Sequence, residues 1–256
     1  MNIHAPNVAP DATEEVDEEQ LRLDLAAAFR MSARADWHEG VANHFSAAVS
    51  PDGKTFLVNP RWRHFSLVKA SELLLVDADD PTTMDRPDAP DPSAWAIHSA
   101  IHRNVPHARV ALHLHPPYVT ALACLKDPTI HPIDQVTARF FNRLAYDLEF
   151  GGVATDDAEG ERIAATLGNH SAVMMGNHGV TTVAPTVAEA FDAMYHLERA
   201  AKTLMLAYSS GQPLAIMNDE LAEVTAQAWE VRGGEDVSHF SQMKEILDRE
   251  DPSYRD

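Results

Sequence analysis

Apolar and polar positions fall into two rhythms along the chain. From residue 18 to about 37, Leu21, Leu25, Ala28 and Phe29 recur at helical spacing with charges on the other side, which predicts an amphipathic helix ended by Gly40. Residues 45–49 and 55–58 are short apolar runs joined by Ser50-Pro51-Asp52-Gly53, hairpin chemistry, and a third strand is expected over 73–76. Residues 77–92, dense in Asp and Pro, read as a surface loop, after which Ser93 is the expected N-cap of a helix carrying Ile97, Ala100 and Ile101. Residues 110–114 alternate as a strand that Pro116 and Pro117 stop. Helices are expected over 118–125, 135–144 and 156–167, and strands over 172–175 and 180–183. Thr186 and Glu189 form a capping box that opens the most strongly helical segment, running to about Tyr208. Beyond Asn218, two helical patterns are separated by Gly233-Gly234.

Strands in the first and middle parts, with helices before, between and after, predict an α/β (α+β layered) domain: a central, mostly antiparallel sheet flanked by helices. The expected organisation is a flexible acidic tail over 1–17, one domain over 18–215, and a C-terminal helical extension over 216–256.

Charge narrows the partners. Asp+Glu 39 against Lys+Arg 20 gives a formal charge of -19, which repels nucleic acid and anionic membranes. Cys124 is the only cysteine and lies in an apolar run, where a buried structural thiol is expected, in keeping with a reducing cytoplasm. No apolar run approaches the roughly 20 residues of a membrane span.

The candidate chemistry lies at two short stretches. In an extended segment, residues two apart project to one side at roughly 6 to 7 Å, so His113 and His115 present two imidazoles to one point, at a strand end. A lone His-x-His is weak evidence. His178 strengthens it, because the Gly176-Asn177-His178-Gly179 turn between two apolar runs aims a side chain outward. Three imidazoles with a fourth position open is the pattern of a catalytic metal site. The other eleven of the 14 histidines read as surface or core residues.

With these stretches placed, the sequence resembles the class II aldolase/adducin family over roughly residues 20–215. The likeness rests on Ala42-Asn43-His44-Phe45-Ser46, Leu57-Val58-Asn59-Pro60, His64-Phe65-Ser66, His98 to His102, His113-Leu114-His115, Asn177-His178-Gly179 and Leu197-Glu198-Arg199. The resemblance implies a central sheet flanked by helices, a tetramer with sites between subunits, and a divalent metal, commonly zinc, on His113, His115 and His178. It also places Asn43 on the substrate side.

Two departures bear on function. The catalytic glutamate of the aldolases falls at Ala94, which cannot move a proton, and the phosphate-binding Thr-Gly after the proline is Arg61-Trp62. The expectation is therefore a metal-dependent carbon–carbon lyase, aldolase or decarboxylase, on a small hydroxy or keto compound or acid. Decarboxylation suits a site without a general base, since loss of carbon dioxide itself generates the enolate and only a late protonation remains, from water or Tyr118. Arg61 and Arg63 are candidates for gripping a substrate carboxylate, and Gln135 is a further candidate substrate contact. His98 and His102 share a helix face, where packing roles are expected. Zinc, manganese and iron all suit three imidazoles. The alternatives are an iron oxygenase on the same histidines and a non-catalytic interaction protein of the adducin kind.

Overall fold

The computed structural model describes residues 17–80, 82–152, 157–232 and 234–256. Seven strands make one sheet: β1 (His44–Ala48), β2 (Thr55–Val58), β3 (Leu74–Asp77), β4 (Val110–Leu114), β5 (Leu144–Asp147), β6 (Ala172–Met175) and β7 (Gly179–Ala184), in the order β3-β2-β1-β4-β7-β6-β5. Every neighbouring pair is antiparallel except β5 with β6. The expected mostly antiparallel sheet flanked by helices is the architecture observed.

Strand β4 lies at the centre and is buried along its whole length. Its alternation sorts the two cores. Val110, Leu112 and Leu114 pack with α1 (Glu18–Arg34), α3 (Pro117–Ala123) and α6 (Val187–Ser209), through Leu25, Phe29, Val119 and Leu197. Ala111 packs on the opposite face with α2 (Pro92–Asn104) and α5 (Asp157–Leu167), through Ile97, Ile101 and Ile163. His113, in phase with Ala111, is thereby turned to the α2 side. Beneath the first face, Phe29, Phe45 and Phe65 form an aromatic cluster with centroids 4.3, 4.6 and 5.1 Å apart, each pair worth about 0.5–1.5 kcal/mol beyond its burial.

The extension is bound into this body. Helices α7 (Asp219–Glu230) and α8 (Glu235–Glu250) pack on the one-turn helix α4 (Gln135–Ala138), on α6 and on α1. His239 on α8 donates to the buried Asp192 of α6 at 2.8 Å. Tyr254 is fully buried, and buried Arg30 of α1 binds the carbonyls of Ser66 and Val68 together with Asp251. The chain's last residues thus tie α1 to the loop that follows β2. Among the described residues, no helix is long and apolar enough to cross a membrane.

Several local expectations need correction. The first helix ends at Arg34, because Asp36 takes φ +60° and turns the chain; Trp37 is packed instead against Phe191 and Tyr195. Asp91, not Ser93, caps α2: its carboxylate accepts from the Ser93 amide at 3.0 Å and Pro92 fills the first helical position. The helix expected over 135–144 is the single turn α4, since Asn142 at φ +57° breaks it. The chain then enters β5, a strand not expected from the pattern, whose parallel pairing with β6 is a tertiary choice. Cys124 is exposed rather than buried, because α3 stops at Ala123 and leaves it at the helix end. Of the tail expected over 1–17, only Asp17 lies among the described residues, where it caps α1.

Helices α2 and α5 approach closely at Gly160, where an added Cβ would overlap the Ala96 carbonyl oxygen, which belongs to the backbone of α2. Gly160→Ala is expected to lower stability by about 1–3 kcal/mol through forced separation of the two helices, read as a lower denaturant midpoint with an unchanged slope.

Candidate metal centre

The sheet register assembles the site. Pairing sets His44 opposite His113 and His113 opposite Thr181, so β1, β4 and β7 present one row of polar side chains near their shared end. His115 follows β4, and its ring packs over Gly179, where a Cβ would overlap the ring and come within 2.6 Å of the Leu114 carbonyl. The β6–β7 connection aims His178: Asn177 stands at φ +55°, its amide donating to Ala123 at 3.0 Å, and the His178 amide donates to Met175 at 3.2 Å. Nitrogens of His113, His115 and His178 all lie within 4.8 Å of one another. The Nε2 atoms of His113 and His115 are 3.1 Å apart.

Two of these imidazoles have partners on Nδ1. The His115 Nδ1–H donates to Glu39 Oε2 at 2.8 Å, which leaves the Nε2 lone pair free. His113 Nδ1 lies 3.2 Å from Thr181 Oγ1, which serves the same end. Burial, with help from neighbouring imidazoles, holds His113 well below the ordinary histidine range, and burial brings His178 down to about 4. His113 and His178 are therefore neutral at pH 7. Nitrogen lone pairs converging at this spacing repel unless a cation lies between them, so the donor set fits a divalent metal on Nε2 ligands.

Asn43 sits in the left-handed region at φ +71° and is 6 % exposed. Its Oδ1 accepts from the Glu39 amide at 2.9 Å, bracing the segment that carries Glu39, while its Nδ2 is buried without a partner. An unsatisfied donor of this kind is costly unless a ligand uses it.

Beneath His113 runs a buried polar line that pattern reading did not identify. The His44 ring stacks on His113 with centroids 4.7 Å apart, and its Nδ1 lies 2.8 Å from His98 Nε2. Ser46 Oγ then bridges His98 Nδ1 and His102 Nε2. His98 and His102 do pack, as expected, and also complete this line; burial pushes both down to about 3. The signal for His44 and Ser46 was their alternation with Phe45, but the register that sets His44 against His113 is a long-range pairing. Glu39 gave no sequence signal, since nothing local marks a carboxylate that meets a histidine 76 residues away.

The remaining candidates lie apart from the trio in their contacts. Arg61 pairs with Asp91 at 3.2 Å, and Arg63 holds both carboxylate oxygens of Glu72 at 3.0 and 2.7 Å. The Tyr118 amide donates to Glu198 of α6, and its ring faces Lys202 with Nζ 5.2 Å from the centroid. Gln135 opens α4, and its carbonyl accepts from Trp229 of α7 at 2.8 Å. Ala94 is buried among Ala48, Phe56, Val58, Val76 and Ala78.

Comparison with known proteins agrees with this geometry. The profile of the Class II Aldolase and Adducin N-terminal domain matches residues 23–205. A protein of Caulobacter vibrioides, named for the aldolase class 2 family, is 33 % identical over 93 % of this chain and 92 % of its own length. The decarboxylase NovR of Streptomyces niveus is 29 % identical, covering 81 % of this chain and 76 % of its own. The 4-hydroxy-3-prenylphenylpyruvate oxygenase/4-hydroxy-3-prenylbenzoate synthase of Streptomyces roseochromogenus is 29 % identical, covering 81 % and 74 %. Among solved structures, an aldolase II superfamily protein from Pseudomonas syringae superposes with a TM-score of 0.84 at 30 % identity, covering 95 % of this chain and 98 % of its own. The L-fuculose 1-phosphate aldolase from Glaciozyma antarctica shares the fold with a TM-score of 0.78 at 23 % identity, covering 98 % and 97 %. The chain belongs to the class II aldolase and adducin family.

Two outcomes follow from the site. Glu39→Ala should weaken metal affinity by about 10-fold or more, in the range typical of lost histidine-orienting partners, measured by chelator competition. For pH, the unfolded chain takes up protons on His98 and His102 near 6.5 and the folded protein only near 3. The unfolded state binds more protons in between, so stability is full above about 6.5 and falls as pH drops toward 3. Denaturation midpoints measured across that window should fall with pH, and less steeply in His102→Gln.

Proposed function

We propose that this member of the class II aldolase and adducin family is a metal-dependent carbon–carbon lyase acting on a small hydroxy or keto acid. The observation that carries the reading is the convergence of three imidazoles, one of them oriented by Glu39, whose segment is braced by Asn43. A divalent cation on His113, His115 and His178 would act as a Lewis acid toward negative charge developing on a substrate oxygen. Asn43 Nδ2 donates a hydrogen bond to an oxygen of the same substrate. Arg61, 41 % exposed in its side chain and held by a single ion pair to Asp91 with its guanidinium over the Trp62 ring, is the arginine kept for the substrate carboxylate; the fork of Arg63 is engaged by Glu72.

Decarboxylation is favoured over aldol cleavage. A retro-aldol step begins with removal of a hydroxyl proton, and the position that would supply the base is Ala94, enclosed by apolar side chains. Loss of carbon dioxide needs no base: the electrons of the breaking bond remain on the substrate carbon, which later takes a proton from water or Tyr118. The decarboxylase name of one relative supports the same choice. We carry zinc as the metal, a homotetramer as the assembly, the cytoplasm as the location, and Gln135 as a further substrate contact within this proposal. The oxygenase name of another relative favours a second reading, iron on the same three histidines.

The test is carbon dioxide release from a panel of 3-oxo and hydroxy-aromatic acids by the metal-loaded protein and by a His113→Ala/His115→Ala double variant. Release by the wild type, reduced at least ~100-fold in the double variant, is expected. Oxygen consumption coupled to turnover would move the assignment to the oxygenase, and equal release by both proteins would remove the histidines from the reaction.

A further inference from the structure

The buried polar line beneath His113 carries a definite set of protons. Ser93 Oγ donates to the Asp91 carboxylate at 2.7 Å, and a hydroxyl has one proton to give. His44 Nε2, 3.3 Å from that oxygen, is therefore the donor of their contact. Burial holds His44 well below the ordinary histidine range, the nearby imidazoles of His98, His115 and His178 adding to it, and burial brings His98 and His102 to about 3. Each of the three rings is neutral at pH 7 and has one proton, so the remaining roles follow from the first.

With its proton on Nε2, His44 accepts at Nδ1 from His98 Nε2–H, 2.8 Å away. His98 Nδ1 then accepts from the Ser46 hydroxyl, and Ser46 Oγ accepts from His102 Nε2–H at 2.7 Å. The line ends at His102 Nδ1, which is bare, buried and without a partner among the described residues. Every donor thus points one way, from the last turn of α2 toward Ser93. One other arrangement keeps all the internal bonds, with the proton of every ring on Nδ1. It would turn His102 Nδ1–H toward the Ala108 backbone, which favours a proton on that ring, but it would set a bare His44 Nε2 against a hydroxyl already committed to Asp91. Each arrangement leaves one end of the line unsatisfied, so neither is far below the other, and the three rings can change only together.

The Ser93 end of the line lies at the histidine trio. The His44 ring stacks on His113 with centroids 4.7 Å apart, and strand pairing holds the two residues opposite each other. We infer that the line is a proton relay with His44 as its outlet, delivering to the substrate carbon the proton it needs after carbon dioxide leaves; the inference rests on the lyase reading. His44 Nε2–H passes its proton to the carbanion, whose electron pair becomes the new C–H bond. In the same movement His44 Nδ1 takes the proton of His98 Nε2, His98 Nδ1 takes that of Ser46, and Ser46 Oγ takes that of His102 Nε2. A proton from water on His102 Nδ1 refills the line, and no ring becomes charged. The line is reset when His44 Nε2 takes a proton from water and the shifts run backwards, releasing one from His102 Nδ1.

The test has two parts. Nuclear magnetic resonance of isotopically labelled imidazole nitrogens in the zinc-loaded protein reads the tautomer of each ring. The wild type should hold the proton of His44, His98 and His102 on Nε2, and Ser93→Ala, which removes the acceptor at the outlet, should move all three together to Nδ1. A mixed set in either protein overturns the line. The second part follows formation of the protonated product from a 3-oxo or hydroxy-aromatic acid in mixtures of light and heavy water. The wild-type rate should fall along a bowed curve as deuterium increases, because several protons move together. Ser46→Ala should keep its metal, lose the bow and form product at least ~10-fold more slowly. A straight plot in the wild type, or an unchanged rate in metal-loaded Ser46→Ala, overturns the relay while the lyase reading stands. If no acid is turned over, the lyase reading falls and proton delivery with it.

Discussion

The antiparallel register of β1, β4 and β7 is the constraint on which the site depends. It places His44, His113 and Thr181 side by side in one row, and it ends β4 where His115 must fold over Gly179. A slip of one residue would turn every side chain of β4 to the other face, sending His113 into the apolar core and Leu112 and Leu114 out of it. Because Leu112 and Leu114 are fully buried on the α1 side, the hydrophobic core enforces the position of His113. Packing and chemistry are therefore one specification read on two faces of a single strand.

The second requirement is that three imidazoles remain neutral and fixed. Burial suppresses protonation of His113 and His178, and partners on Nδ1 of His113 and His115 direct their Nε2 lone pairs inward. The layer beneath, His44 to His98 to Ser46 to His102, fills the space between β1 and α2 with groups that bond one another, although His102 Nδ1 is left unpartnered. Asn43 Nδ2 is one of several buried side-chain polar atoms without a partner among the described residues.

Much of this was legible in the sequence, for identifiable reasons. The His-x-His spacing, the Gly-Asn-His-Gly turn and the Thr186–Glu189 capping box are local patterns, and each corresponds to a feature of the fold: the end of β4, the β6–β7 turn and the start of α6. What was not legible is long-range. Glu39 meets His115 across 76 residues, His44 meets His113 only through strand pairing, and β5 exists because β6 offers it an edge. The cap of α2 was misplaced by two residues because Asp91 and Ser93 are both good caps, and Pro92 decides between them by taking the first helical turn. Cys124 shows that apolar neighbours in sequence do not ensure burial at a helix end.

The central claim is that the three histidines hold a metal ion. The most direct measurement is elemental analysis of protein purified without added metal and without a histidine tag, with a His178→Ala variant beside it. The account predicts close to one divalent metal ion per chain in the wild type and its loss from a variant that remains folded. Absence of metal from both proteins, or full retention by the variant, would contradict it.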